Sequence, residues 1–160
     1  NNYDYIILDS SPSLNAEVLS TILASDHLFV VTTPDYPTLS CSIKAARLAK
    51  QRGRPISGMI INKVRDPKYE LTTNEIESAM EIPVVARLPD EKQVIRSTFL
   101  RIPIPIYSKK SGFSSEINNL SRAITGEKEK RSLIKSLFPV RKEAVNRQLL
   151  KESFYESHFQ

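Results

Sequence analysis

One cysteine, Cys41, occurs in 160 residues. A single thiol excludes an internal disulfide framework and a multi-cysteine metal site within one chain. It fits a reducing compartment. The two histidines, His27 and His158, have no cysteine or carboxylate at metal-ligand spacing and support neither a zinc site nor a Ser-His-Asp triad. No apolar run approaches the roughly 20 residues that span a bilayer, and the N-terminus is too polar for a signal peptide. The four glycines, at 53, 58, 112 and 126, cannot compose a G-x-x-x-x-G-K-[ST] loop. That loop is the one whose backbone N–H groups and lysine cradle phosphates. Internal repeats and low-complexity tracts are also absent.

What is present is an ordinary globular composition, 40% hydrophobic and 26% charged, long enough for one domain with a real core. The net charge of +5 is uneven. Residues 1–126 hold 15 Lys/Arg against 13 Asp/Glu, whereas residues 127–160 hold 8 against 5. An electrostatic partner is therefore expected at the tail.

Short apolar runs alternate with helical patterns. YIILD, HLFVVTTP, PISGMIINKV and IPVVARLP read as strands, the first of them buried. NAEVLSTILAS reads as a helix with Asn15 as its cap and Val18, Leu19, Ile22 and Leu23 on one face. TLSCSIKAARLAKQRG reads as an amphipathic helix ended by Gly53, with Leu39, Ile43, Ala46 and Leu48 inward and Cys41 as a small packing residue. TTNEIESAM, EKQVIRSTF and SGFSSEINNLSRAITG are further helices, and the prolines of RIPIPIYS predict an extended segment. The alternation predicts an α/β fold: a parallel sheet with helices on both faces.

In such sheets ligands bind outside the carboxyl ends of the strands. That rule selects Asp9, Ser10 and Ser11, then Thr32 to Asp35, then Asn62 and Lys63, then Pro89 and Asp90. Asp9 closes an apolar run, the form of a Walker B strand that holds a carboxylate near magnesium, usually through water. It equally fits an Asp-Ser turn. The Asn62 amide can donate to and accept from an adenine edge, or it simply turns the chain after a strand. Asp90 either caps the next helix or lies beside a base or ribose. Pro37 and Thr38 can start a helix without any ligand.

The order YDYIILDSSPSL, VVTTPDYPTLSCSIKAARLAKQRG, GMIINKV, ELTTNEIESAMEIPVVARLPDEKQV, IPIPIYSKKSGFSSEINNLSRAITG resembles the MinD/ParA family of deviant-Walker P-loop ATPases, most closely its archaeal MinD-like branch. The resemblance covers about residues 3–126. It implies a P-loop NTPase fold of SIMIBI type, with ATP and Mg2+ as cofactors. It implies a magnesium and water-orienting role for Asp9, with Ser10 and Ser11 near the phosphate. It implies adenine recognition by Asn62, with Pro89 and Asp90 lining the base. Ser13 stands where many MinD-type members have glycine, and the D-x-x-P-S-L pattern from Asp9 to Leu14 is shared with partitioning relatives. The missing phosphate loop and the missing second lysine are expected in sequence preceding Asn1. The abrupt start, without Met and directly into a strand, agrees with a fold incomplete at its N-terminus. Alone, the 160 residues are not expected to hydrolyse ATP.

The resemblance also implies an ATP-sandwiched homodimer, an activating protein partner and a switch that positions cellular components in cell division or partitioning. The expected organisation is residues 1–126 as the C-terminal portion of the ATPase domain and 127–160 as a basic amphipathic helical tail. Leu133, Ile134, Leu137 and Phe138 share one helical face, similar to a MinD-type membrane-targeting helix, so residues 130–138 are a candidate peripheral membrane contact. Docking of that helix on the body is the structural alternative, and DNA is the other charged surface that fits. The expected location is cytoplasmic, including the inner face of the cell membrane. The competing function is a non-catalytic scaffold acting through the basic tail.

Overall fold

The computed structural model describes residues 2–11 and 16–126. The elements in chain order are α1 (Ala16–Ala24), β1 (Leu28–Thr32), α2 (Tyr36–Gln51), β2 (Ile56–Val64), α3 (Thr73–Met80), β3 (Val84–Pro89), α4 (Lys92–Leu100), α5 (Ile104–Tyr107) and α6 (Gly112–Thr125). Among the described residues the strands form one parallel sheet, ordered β1-β2-β3. Phe29 to Thr32 pair in step with Gly58 to Ile61.

Local chemistry places the helix ends. The Asp35 carboxylate accepts from the Thr38 N–H at 2.9 Å, and Pro37 sits in the first turn of α2, where no N–H is needed. Thr72 and Glu75 form a reciprocal capping box at α3. The Ser111 hydroxyl accepts from the Ser114 N–H to start α6. Gly126, at φ 73°, ends α6 in a left-handed conformation that glycine adopts without a Cβ penalty.

Helices pack on both sides of the sheet. On one side Met59, Ile61 and Val84 pack with Leu39 and Ala46 of α2 and with Ile76 and Met80 of α3. On the other, Val85 and Ala86 pack with Leu120 and Ala123 of α6, joined by Phe29 and Ile60. A third cluster joins α1 (Val18, Ile22) to Ala49 at the end of α2. Burying a side chain such as Ile61 or Met59 fully is worth about 1.5–3 kcal/mol, so these clusters carry the fold. Gly58 is required on the α6 face. A Cβ there would stand 2.6 Å from Val85 Cγ1, a branched side chain with little room to turn.

Three expectations are corrected. Residues 5–8 are not a buried strand: they pair with none of the three strands and are 49–93% exposed. A strand persists only where its N–H and C=O groups meet a neighbour and its faces are covered. RIPIPIYS is not wholly extended. Ile104–Tyr107 make one helical turn, with Pro103 at its cap and Pro105 in its first turn, where a missing N–H breaks no helical bond. Cys41 is exposed. The inward positions of α2 are Leu39, Ser42, Ala46 and Ala49, a helical spacing that turns Cys41 to the opposite face. Asn15 and residues 127–160, where the tail helix is expected, lie outside the described residues.

Candidate functional site

The polar strand ends expected from the sequence converge in part. Asn62 and Lys63 near the end of β2 and Pro89 and Asp90 at the end of β3 line one cleft of about 480 Å³. Its opposite wall is apolar, made by Ile95 and Phe99 of α4 and Phe113 of α6.

The backbone re-aims Asn62. Ile61 pairs with Arg87 and Val64 with Pro89, so β2 spends three steps where β3 spends two. This irregularity is a bulge, a device that redirects a side chain at a sheet rim. Lys63 absorbs it with φ 56°, an uncommon conformation for a residue with a Cβ. The Lys63 N–H donates to Asn62 Oδ1 at 2.9 Å and fixes the amide. The second lone pair of Oδ1 and both amide hydrogens stay available by valence.

Asp90 does not cap α4. The cap residue is Glu91, without a side-chain cap bond. Asp90 Oδ2 instead accepts from Arg65 Nε at 2.6 Å, and the Asp90 N–H donates to the Val64 carbonyl at 2.9 Å. The turn after β3 is thereby tied to the end of β2. The Arg65 N–H in turn donates to Glu70 Oε1 at 2.8 Å. Glu91 Oε1 accepts from the Gly112 N–H at 2.9 Å, joining the same turn to the start of α6. A Cβ at position 112 would meet that oxygen at 2.6 Å.

Asp9, Ser10 and Ser11 follow the exposed segment 3–8 and do not line this cleft. At the end of β1, Thr33 and Asp35 serve helix capping. The Thr33 hydroxyl donates to Asp35, and with the Thr38 N–H it holds the carboxyl below its ordinary pKa. A depression of about 530 Å³ between α2 and α3 is slightly larger, but Glu75 there is committed to the Thr72 box.

Arg65, Ile95, Phe99 and Phe113 were not among the residues expected from the sequence. Arg65 could have been found by its place just past the third apolar run. Ile95 and Phe99 could have been found by their i, i+4 spacing on the helix after Asp90. The cleft holds a fixed amide on one side and an aromatic–aliphatic wall on the other. It suits a flat ring with a hydrogen-bonding edge.

Comparison with known proteins agrees with this architecture. A family model described as an AAA domain, AAA_26, matches residues 10–98, more than half of the chain. An uncharacterised ATP-binding protein of Methanocaldococcus jannaschii is 27% identical over 132 residues, covering 82% of this chain and 50% of that protein. The septum site-determining protein MinD of Thermotoga maritima is 27% identical, covering 79% and 48%. The solved structure of MinD from Pyrococcus horikoshii, complexed with Mg-ADP, superposes with a TM-score of 0.72 at 23% identity, covering 81% and 55%. The chain thus spans about half the length of the curated relatives it matches. With the family match over more than half of the chain and the superposition in agreement, the chain belongs to the AAA domain family AAA_26 and is MinD/ParA-like, with the fold of the P-loop ATPases.

Proposed function

We propose that this chain supplies the base-recognition half of a MinD/ParA-like ATPase, in which ATP drives dimerisation and hydrolysis reverses it. The observation that carries the reading is the convergence of Asn62, Pro89 and Asp90 from two adjacent strand ends on one cleft with an apolar wall. Asn62 reads the polar edge of adenine. Pro89 and the Arg65-tethered Asp90 bound the ring, and Phe99 and Phe113 cover its face.

Asp9 is proposed as the carboxylate that orients the magnesium shell and the attacking water, with Ser10 and Ser11 beside the phosphate. Among the described residues no three His, Cys, Asp or Glu side chains gather as a metal site. Magnesium keeps several waters and takes phosphate oxygens with one or two carboxylates. The ion supplies charge neutralisation at the phosphates when bound. Phosphate cradling is assigned to a glycine-rich loop that this sequence does not contain. Further proposals are a homodimer that sandwiches ATP, a protein that stimulates hydrolysis, a role in cell division or partitioning, and tail contact through residues 130–138 with the cytoplasmic face of a membrane. DNA is the alternative tail partner. Among the described residues no helix is long and apolar enough to cross a bilayer.

The test is steady-state hydrolysis by the complete protein. Asp9→Ala is expected to cut the rate about a hundredfold while ATP still binds. A wild-type rate would remove Asp9 from the magnesium role.

A further inference from the structure

Glu91 is the N-cap residue of α4, yet its side chain makes no capping bond to that helix. Its carboxylate serves α6 instead, where Oε1 accepts from the Gly112 N–H at 2.9 Å. Position 112 leaves room for this contact only without a side chain. A Cβ there would stand 2.6 Å from Oε1 and 3.2 Å from Cγ of Pro89. The other oxygen, Oε2, is buried and has no hydrogen-bond partner among the described residues. A buried carboxylate oxygen without a partner costs free energy, so the contact adds little net stability. What it supplies is position.

The residue positioned is Phe113. Gly112 and Phe113 open α6, and Phe113 is the residue of α6 that lines the cleft with Pro89 and Asp90. Their Cα atoms are one trans peptide apart, about 3.8 Å, so a shift at Gly112 passes directly to the ring. Further along, α6 is held by packing, with Leu120 and Ala123 against Val85 and Ala86 of β3. The first turn lies beyond those contacts. On its α5 side the Ser114 hydroxyl donates to the Ser108 carbonyl at 2.7 Å. On its cleft side Glu91 joins it to the turn after β3. Arg65 and Asp90 tie that turn to β2 in the same way. Two adjacent carboxylates thus serve opposite walls of one cleft. Asp90 acts on the strand-end wall beside Asn62, and Glu91 on the aromatic wall at Phe113.

We propose that Glu91 is a positioning residue for base recognition, holding Phe113 against the face of the bound ring through its bond to Gly112. The proposal rests on the adenine reading of the cleft, and Glu91 acts through another side chain, not on the nucleotide itself. A binding wall works when its own place is fixed by supporting hydrogen bonds, and a displacement of about 1 Å is felt in function.

The test is titration of the complete protein with ATP and, separately, with tripolyphosphate, which carries no base. Phe113→Ala is expected to weaken ATP about tenfold. Glu91→Ala should weaken it about as much, and Glu91→Gln, which keeps an acceptor for the Gly112 N–H, should restore the affinity. Gly112→Ala displaces the carboxyl without removing it and should behave as Glu91→Ala does. The double variant Glu91→Ala with Phe113→Ala should be no weaker than Phe113→Ala alone, because both act on one contact. Full additivity in the double variant would overturn the proposal. So would wild-type ATP affinity in Glu91→Ala beside a weakened Phe113→Ala, a result that leaves the adenine reading standing. Wild-type affinity in Phe113→Ala would overturn both. Tripolyphosphate weakened by the same factor as ATP in Glu91→Ala would mean a general loosening and would also overturn the proposal.

Discussion

Lys63 holds φ 56° beside the one amide in the cleft, and the two facts are linked. A left-handed residue with a Cβ costs about 1–2 kcal/mol, and here it accompanies the bulge that fixes Asn62. The Arg65–Asp90 pair also acts on orientation more than on stability. Arg65 is exposed, so Arg65→Ala is expected to change unfolding free energy by no more than about 1 kcal/mol in urea titration. Asp35 matters more for folding, because it is the N-cap of α2, the longest helix among the described residues. Asp35→Ala should destabilise by about 1 kcal/mol, read as a lower urea midpoint with unchanged slope. The sign of its pH dependence follows from its depressed pKa. Hydrogen bonds from Thr33 and the Thr38 backbone favour the charged form, so the cap's contribution is full above the ordinary carboxylate pKa. It is lost as pH falls through the lower folded value. Glu75 of the Thr72 box is depressed for the same reason and follows the same course. In acid titrations of stability, Asp35→Asn should flatten the wild-type decline below the ordinary carboxylate pKa.

At the scale of elements, Gly58 is the sharpest test of sheet-to-helix packing. Gly58→Ala drives a methyl into Val85 in the layer beneath α6 and should cost about 1–3 kcal/mol in thermal or urea unfolding. An unchanged midpoint would mean that α6 does not sit tightly on β3. The elements themselves were largely legible in the sequence. HLFVVTTP, PISGMIINKV and IPVVARLP became β1, β2 and β3 because each is apolar on both faces and bounded by turn chemistry. TTNEIESAM carried its own start signal in Thr72 and Glu75. YIILD has the same composition as a strand yet is none, because composition cannot say whether a neighbour's backbone is in reach. The α5 turn was missed because proline was read as a helix breaker, which it is only past the first turn. In the site, Asn62, Pro89 and Asp90 were legible from strand-end position. The Arg65 tether and the Phe99 and Phe113 wall were not, since they depend on how α4 and α6 close over the sheet.

Among the described residues, large apolar side chains are exposed on several elements. Ile6 and Ile7 are exposed in the N-terminal segment, Val31 is exposed on the edge strand β1, and Ile95 and Phe99 are exposed on α4. An uncovered strand edge with apolar neighbours favours self-association. The 160-residue chain produced by itself is expected to bind a hydrophobic dye and to associate with rising concentration. Ile6→Asp with Ile7→Asp should reduce both in light scattering and dye fluorescence. Within this frame the sheet brings two strand ends together and leaves Asp9 apart, and the proposed base recognition rests on those two ends. Nucleotide titration of the complete protein, wild type against Asn62→Ala, therefore tests the account most directly. Removing the amide is expected to weaken ATP about 10- to 100-fold and to erase the preference for ATP over GTP. An unchanged ATP affinity with an unchanged preference would contradict the assignment of this cleft to adenine.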